Sequence, residues 1–179
     1  QAMAHARAHG ETPVTMGINA AQDALKMAGV SPDKIGMVMV NSDTPFDMIP
    51  ATANLIAKGL GVRSGSNYDV NCACSSFAKH MQILSDTRPE RVPEFVLCVQ
   101  TAAYTARIEY SPNSIDPYIF GDGACAQVLS TKHQGRQEVE PIIFETKPDA
   151  AESILVDISA HLVQDGKAVR EFSIRKTCE

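Results

Sequence analysis

A short apolar run, MVMVN at residues 37–41, lies between two segments with helical periodicity. Such a run is typical of a strand that is buried on both faces of a parallel sheet. Before it, a Thr-Pro pair at residues 12–13 provides a helix start, and apolar residues recur at helical spacing until Gly29. After it, Pro50 begins a second predicted helix, and Gly61 supplies its left-handed cap.

Strand and helix patterns continue to alternate along the rest of the chain. A third helix is predicted from about Ser75, with Phe77, Met81 and Leu84 on one face. Further strands are predicted at 67–70, 95–100, 118–120, 124–129 and 139–145, with a Gly-Asp-Gly bend at 121–123. We therefore predict an α/β fold, a mixed sheet with helices on both faces, parallel at first and more antiparallel towards the end.

Composition excludes several classes of function. The chain has 179 residues, 44% of them hydrophobic, which suffices for a substantial core. A net charge of −5 with scattered basic residues argues against a nucleic-acid partner. No apolar run approaches the roughly 20 residues of a membrane span, and no export signal is recognisable, so a cytoplasmic protein is expected. Five cysteines, an odd number, fit a reducing compartment.

The segment DVNCACSSF at residues 69–77 carries the strongest indication of chemistry. A predicted strand ends there, and a cysteine arrives where the next helix begins. The unpaired amides and partial positive charge of a helix N-terminus favour a thiolate, which is the nucleophilic form of cysteine. Free cysteines are also common as small buried core residues, so placement alone leaves both interpretations open.

Other sites are less well supported by the residues. A zinc site based on Cys72 and Cys74 lacks further ligands at suitable spacing, since His80 lies within a helix and has no partner motif. A serine-hydrolase elbow would need two glycines that this segment lacks. Glycines 59, 61 and 65 do not have the spacing of a dinucleotide loop. The spacing of the five histidines selects none of them as a base for Cys74.

Taken together, the motifs resemble the β-ketoacyl-acyl-carrier-protein synthase III group of the thiolase superfamily. The resemblance rests on the segment at 69–77 and on FGDGA at 120–124. It extends to DTP at 43–45, PATA at 50–53, and a late HLxxxGxxV pattern at 161–169. It implies a thiolase-like fold, a duplicated five-layer α-β-α-β-α architecture of which residues 1–179 would be the N-terminal half. The first strand and the C-terminal half would then lie outside this chain.

The resemblance also implies a reaction and its site. Cys74 matches the nucleophile that takes an acyl group from acyl-coenzyme A. Malonyl on an acyl carrier protein then loses carbon dioxide and attacks the acyl-enzyme, while backbone amides stabilise the oxyanion. Residues that match substrate-binding positions are Ile49, Phe120, Gly166 and Val169, and Ile49 also matches a residue of the family's homodimer interface. No metal or resident cofactor is implied, and the family's His and Asn belong to the missing half.

Departures from the family pattern keep alternatives open. Ser114 stands where an arginine that binds coenzyme A is expected, Ser76 replaces a glycine, and Gln164 replaces a frequent Met. One alternative is a related acyltransferase of specialised metabolism that uses an acceptor other than malonyl. Another is a non-catalytic partner subunit of such an enzyme.

Overall fold

The computed structural model describes residues 10–63, 65–140, 142–156 and 161–178. The helices within these residues are α1 (Pro13–Ala28), α2 (Thr52–Leu60), α3 (Ser76–Asp86), α4 (Asp116–Ile119) and α5 (Gly166–Cys178). The strands are β1 (Ile35–Asn41), β2 (Ser66–Asp69), β3 (Phe95–Ala103), β4 (Asp122–Leu129), β5 (Ile154–Val156) and β6 (Leu162–Gln164).

The main sheet has four strands in the order β2-β1-β3-β4. Strand β1 is parallel to both of its neighbours, whereas β4 runs antiparallel to β3. The apolar run at 37–41 therefore forms most of an interior strand, as its composition indicates. Strands β5 and β6 form a separate antiparallel pair that the sequence patterns did not predict.

Helices α1 and α2 cover one face of the main sheet. Alternate residues of β1, Val38 and Val40, are fully buried there, together with Leu97 and Val99 of β3. These strand residues pack in one cluster with apolar side chains of both helices, namely Ala21, Leu25, Ala53, Ile56, Ala57 and Leu60. Residues two apart on the strands thus pack against residues three or four apart on the helices, as the two side-chain periodicities require.

Helix α3 covers the opposite face of the main sheet. Met39 and Cys98, which alternate with the residues of the first core, pack there with Met81 of α3. Burial raises the pKa of the Cys98 thiol to about 12, so this cysteine is a core residue. Helices thus lie on both faces of a mixed sheet, and the predicted α/β class is confirmed.

Local capping signals account for the helix ends. Thr12 and Thr15 form a reciprocal capping box at the start of α1, and Gly29 ends the helix with φ 67°. Gly61 ends α2 with φ 77°. Only glycine adopts this left-handed conformation without a steric cost, so both stop signals worked as predicted.

Some predicted elements were wrong. Residues 118–120 are not a strand, because Tyr118 and Ile119 end the short helix α4 and β4 begins at Asp122. Residues 139–140 and 142–145 are not a strand either, since they form no ladder with any described strand, and Ile143 is 91% exposed. On α3, Phe77 is exposed, and the buried positions are Ser76, His80 and Met81.

Candidate active site

The carboxyl ends of β1, β2 and β3 lie at the same edge of the sheet, because these strands are parallel. Residues 41–44 leave β1 at this edge, the cysteine turn at 70–75 leaves β2, and Tyr104 follows β3. Loops at this edge of an open α/β sheet are the usual location of ligand sites. The topology therefore brings three separate parts of the chain to one place.

The cysteine turn is fixed by a small set of hydrogen bonds. Cys72 N–H donates to Ser76 Oγ at 2.8 Å, and that hydroxyl donates to the Ala73 carbonyl at 2.7 Å. Asn71 Oδ1 accepts from Ala73 N–H at 2.9 Å. Ala73 has φ 47°, a left-handed conformation that is rare for residues other than glycine. The turn that precedes Cys74 is therefore specific and strained, and Ser76 has a structural role in it.

Cys74 itself lies in a 3₁₀ helix, Ala73–Ser75, that leads directly into α3. The residue is exposed, whereas Cys72 is half-buried. No hydrogen bond joins the Cys74 thiol to another side chain in the parts of the chain that the structure describes. A substrate in solution can reach an exposed thiol at the start of a helix, and the thiolate form can attack that substrate. The role of Cys74 as the nucleophile stays a prediction.

Tyr104 follows β3 at the same edge of the sheet as the cysteine turn. Its hydroxyl donates to Asp43 Oδ2 at 2.6 Å, and its ring lies 5.2 Å from that of Phe120, centroid to centroid. Burial, the hydrogen bond to Asp43 and the charges of Asp43 and Cys74 all raise the pKa of the Tyr104 phenol. The phenol thus remains protonated as a donor to Asp43, and the predicted substrate residue Phe120 packs against it.

A buried histidine on α3 contacts the strand end that precedes the cysteine turn. His80 has no exposed surface, and its Nε2 lies 3.3 Å from the Val70 carbonyl. Its Nδ1 lies 3.1 Å from Gln100 Nε2, which requires the tautomer with the proton on Nε2. Gln100 Oε1 in turn accepts from the exposed thiol of Cys125 at 3.4 Å. Burial lowers the pKa of His80, so the ring is neutral.

The sequence patterns did not identify this polar chain. A signal was present, however, because polar Gln100 follows the apolar run at 95–99 in one predicted strand, and polar His80 lies in the predicted third helix. Buried polar groups are expected to pair with one another, so two such residues on facing elements are candidates for a contact.

The Gly-Asp-Gly motif fixes the start of β4 against the end of β3. Asp122 Oδ1 accepts from Thr105 N–H at 2.8 Å, and Asp122 Oδ2 accepts from the Thr105 hydroxyl at 2.6 Å. Nearby, Thr44 Oγ1 accepts from Ala103 N–H at 2.7 Å in a buried position. The two bonds of Asp122 join the residues after β3 to β4, and the bond of Thr44 joins the loop after β1 to the end of β3, so together they set the position of Tyr104.

The other predicted substrate residues lie in different surroundings. Ile49 is 88% exposed and precedes Pro50 through a cis peptide bond. Gly166 is exposed at the start of α5, and Val169, half-buried, donates its N–H to the Asp165 carbonyl at 3.1 Å. No hydrogen bond joins any of these three to Cys74 within the described residues. Their roles in substrate binding stay predictions.

Strand β6 connects the late segment to the region around Phe120. Leu162 N–H donates to the Arg107 carbonyl at 2.7 Å, and Gln164 Nε2 donates to Asp116 Oδ1 at 3.4 Å. Ser114, the residue in place of the expected arginine, contacts the same Asp116 carboxylate at 3.4 Å. The two unexpected polar residues thus belong to one hydrogen-bonded group at α4.

The remaining histidines show no arrangement around Cys74. His133 Nε2 lies 2.8 Å from Glu94 Oε1, its ring stacks on Phe95, and His161 is exposed. His5 and His9 lie outside the described residues. Within those residues, no three His, Cys, Asp or Glu side chains are grouped as metal ligands require. None of the helices within the described residues is long and apolar enough to cross a membrane.

Comparison with known proteins gives a consistent result. Residues 68–148 match the family model described as 3-oxoacyl-acyl-carrier-protein synthase III. The β-ketoacyl-acyl-carrier-protein synthase III of Streptomyces lividans is 34% identical over 119 residues, covering 66% of this chain and 35% of that protein. The residues that the family model matches, 68–148, include the cysteine turn and the Gly-Asp-Gly motif of this chain.

Solved structures show the same fold. The priming β-ketosynthase of a polyketide biosynthetic pathway superimposes with a TM-score of 0.81 at 29% identity, covering 94% of this chain and 53% of that one. The 3-oxoacyl-acyl-carrier-protein synthase III of Aquifex aeolicus gives a TM-score of 0.82 at 22% identity, over 90% and 52%. The chain spans about half the length of these structures. These matches confirm the resemblance: the chain is related to the 3-oxoacyl-acyl-carrier-protein synthase III family and has its thiolase-like fold.

Proposed function

We propose that this chain supplies the nucleophile-bearing half of a condensing acyltransferase of the synthase III type. The observation that carries the proposal is the position of Cys74. It is exposed, it follows a strained residue at the edge where the parallel strands end, and it lies in the 3₁₀ helix that leads into α3. The matching family model and the Streptomyces lividans relative are named 3-oxoacyl- and β-ketoacyl-acyl-carrier-protein synthase III, which supports the same activity here.

The first step of the proposed reaction loads the cysteine. The Cys74 thiolate attacks the carbonyl carbon of an acyl-coenzyme A, the carbon–sulfur bond to coenzyme A breaks, and coenzyme A leaves as a thiol after taking up a proton. Thiolates are suited to this exchange, because they form thioesters readily and also leave from them readily. Backbone amides of the turn, including that of Cys74, are proposed to stabilise the oxyanion.

The second step is proposed to be a decarboxylative condensation. Malonyl on an acyl carrier protein loses carbon dioxide, and the resulting carbanion attacks the acyl carbonyl on Cys74. The new carbon–carbon bond gives a 3-oxoacyl product, and the Cys74 thiolate is released. The family's His and Asn, which stabilise the enolate, match no residue of this chain, so this step depends on the other half of the protein.

The proposed partners follow from the substrates. Acyl-coenzyme A and an acyl carrier protein are the proposed donor and acceptor, and the reaction needs no resident cofactor because the thioester already activates the acyl carbon. We also propose a cytoplasmic homodimer, with Ile49 at the interface. The exposure of Ile49, 88%, is compatible with burial by a second subunit.

Mass spectrometry of the full-length protein tests the proposal. After incubation with butyryl-coenzyme A, we expect the butyryl mass on the peptide that contains Cys74, and we expect carbon dioxide release on addition of malonyl-acyl carrier protein. A Cys74→Ala variant should show neither, whereas Cys125→Ala, which removes another exposed thiol, should retain both. Acylation of a different residue would contradict the assignment of Cys74. Loading without carbon dioxide release would contradict the condensation.

A further inference from the structure

Buried oxygen atoms without partners are concentrated at the end of β1. Asn41 Oδ1, Ser42 Oγ and Asp43 Oδ1 are all buried, and none of them has a hydrogen-bond partner among the described residues. A buried oxygen without a donor carries a desolvation cost, and native proteins contain few such atoms. Three in succession, at the edge of the sheet where the cysteine turn lies, point to a site that receives donors from a ligand.

The Asp43 carboxylate is the best defined of these acceptors. Its Oδ2 accepts from the Tyr104 hydroxyl at 2.6 Å, which holds the carboxylate in one orientation and leaves Oδ1 buried and unpaired. Thr44, the next residue, anchors this loop through its hydrogen bond to Ala103 N–H at 2.7 Å. The acceptor is therefore fixed in position before any ligand arrives, which reduces the entropic cost of binding.

Two observations place this acceptor near the predicted reaction centre. The loop that carries Asp43 and the cysteine turn leave the adjacent parallel strands β1 and β2 at the same edge of the sheet, and the charge of Cys74 contributes to the raised pKa of the Tyr104 phenol. The Tyr104 ring packs at 5.2 Å against that of Phe120, which matches a substrate-binding position of the family. A group attached to the Cys74 sulfur would thus lie at the same edge of the sheet as the Asp43 carboxylate and the Tyr104 ring.

We propose that Asp43 and Tyr104 form a polar subsite that selects acyl groups carrying a hydrogen-bond donor, a hydroxyl or an ammonium, close to the thioester. This inference rests on the proposed loading of Cys74. The Tyr104 hydroxyl already donates its proton in the hydrogen bond to Asp43 Oδ2. The subsite therefore offers a ligand only acceptors, namely Asp43 Oδ1 and the lone pairs of the phenol oxygen. A donor satisfies them, a plain alkyl chain leaves them unpaired, and an acyl group that ends in a carboxylate is repelled.

Competition between matched thioesters provides the test. We compare 3-hydroxybutyryl-coenzyme A with butyryl-coenzyme A, and 3-aminobutyryl-coenzyme A is the arm that separates an ammonium from a hydroxyl donor. The measured quantity is the second-order rate constant for acylation of Cys74 in the full-length protein, determined by mass spectrometry. A hydrogen bond to a charged acceptor should favour a donor-bearing thioester over butyryl by about ten-fold or more.

Variants assign that preference to the subsite. Asp43→Asn retains the shape but replaces one acceptor by a donor, and should abolish the preference. Tyr104→Phe should reduce the preference, because Asp43 loses the hydrogen bond that orients it. The matched control is Asp47→Asn, an exposed carboxylate four residues further along the same loop, which should retain the preference.

The outcomes separate this inference from the proposed function. Acylation of wild-type Cys74 by all thioesters at similar rates would overturn the subsite and leave the proposed function intact. Acylation by none of them would overturn the proposed function, and the subsite with it. If Asp43→Asn does not fold, a preference that Tyr104→Phe leaves unchanged overturns the subsite, and a reduced preference supports it.

Discussion

The Asp69 carboxylate caps helix α2 at Thr52. Asp69 Oδ2 accepts from Thr52 N–H at 2.7 Å, and Asp69 Oδ1 accepts from Ala53 N–H at 2.8 Å. Asp69 ends β2, immediately before the cysteine turn, so this cap joins two neighbouring elements at the candidate active site. A negative charge at a helix N-terminus also interacts favourably with the helix dipole.

We expect Asp69→Ala to lower the free energy of unfolding by about 1–2 kcal/mol, because two backbone donors of α2 lose their acceptor. Urea unfolding of the full-length protein measures the change. Asp23→Ala, which removes an exposed carboxylate within α1, should change stability by less than about 0.5 kcal/mol. Equal effects of the two substitutions would show that the cap does not contribute.

Ala73 and Ala78 should respond in opposite directions to replacement by glycine. Ala73 has φ 47°, so Ala73→Gly relieves a steric cost and should stabilise the protein by up to about 1 kcal/mol. Ala78 lies within α3, where glycine should cost about 1 kcal/mol. Denaturant unfolding of both variants tests the pair, and destabilisation of similar size at both positions would argue against strain at Ala73.

Ser76→Ala should disturb the cysteine turn. The change leaves the Cys72 amide and the Ala73 carbonyl without the hydroxyl that bridges them in a buried position, at a cost of about 1–3 kcal/mol. We also expect slower acylation of Cys74. Ser85→Ala, at an exposed position of the same helix, is the control and should leave both quantities unchanged. Unaltered stability in Ser76→Ala would show that the bridge is dispensable.

The cysteines should differ in their rates of alkylation. Cys74 and Cys125 are exposed, whereas Cys98 is buried and its thiol pKa is raised to about 12 by that burial. A time course with iodoacetamide near pH 8, read by peptide mass spectrometry, should label the two exposed residues first and Cys98 only on unfolding. Early labelling of Cys98 in the native protein would contradict its position in the core.

Stability should fall in mild acid because of His80. Burial lowers the folded pKa below the unfolded value of 6.5, so the unfolded chain binds the extra proton first. The contribution of neutral His80 to the free energy of unfolding is complete above about pH 6.5, and it is lost as the pH falls through 6.5 towards the folded pKa. Urea unfolding between pH 7 and pH 5 should show this slope.

Substitution of histidines assigns the pH dependence. His80→Gln should flatten the slope, since the titrating group is removed while an amide remains to bond with its neighbours. His133→Gln, which alters a solvent-exposed pair with Glu94, should keep the wild-type slope over the same range. A slope that persists unchanged in His80→Gln would assign the acid sensitivity to other groups.

Local rules were sufficient for much of the fold. Thr12, Gly29 and Gly61 mark helix ends through their own backbone or side-chain preferences, and the run at 37–41 is apolar enough to indicate an interior strand. They were insufficient at residues 139–145, where an apolar composition predicts a strand. A strand also needs a partner edge, and no described strand provides one there.

The candidate site shows the same division. Local sequence patterns alone indicate that Cys74 follows a strand at the start of a helix, and that the Gly-Asp-Gly motif and the cysteine segment occur in the family's order. These properties depend on adjacent residues and on composition, so they can be read along the chain. The family relationship and the α/β class also follow from them.

Which distant residues come together at the site depends on how the strands and helices pack. Asp43 and Tyr104 are 61 positions apart, and the contact between His80 and Gln100 joins a helix to a strand on the facing layer. Each partner alone is an ordinary polar residue. Parallel pairing of β1 with β2 and β3 brings the carboxyl ends of these strands together. Burial at that edge then makes an unpaired oxygen atom energetically costly. These residues therefore acquire their roles only when the sheet has formed.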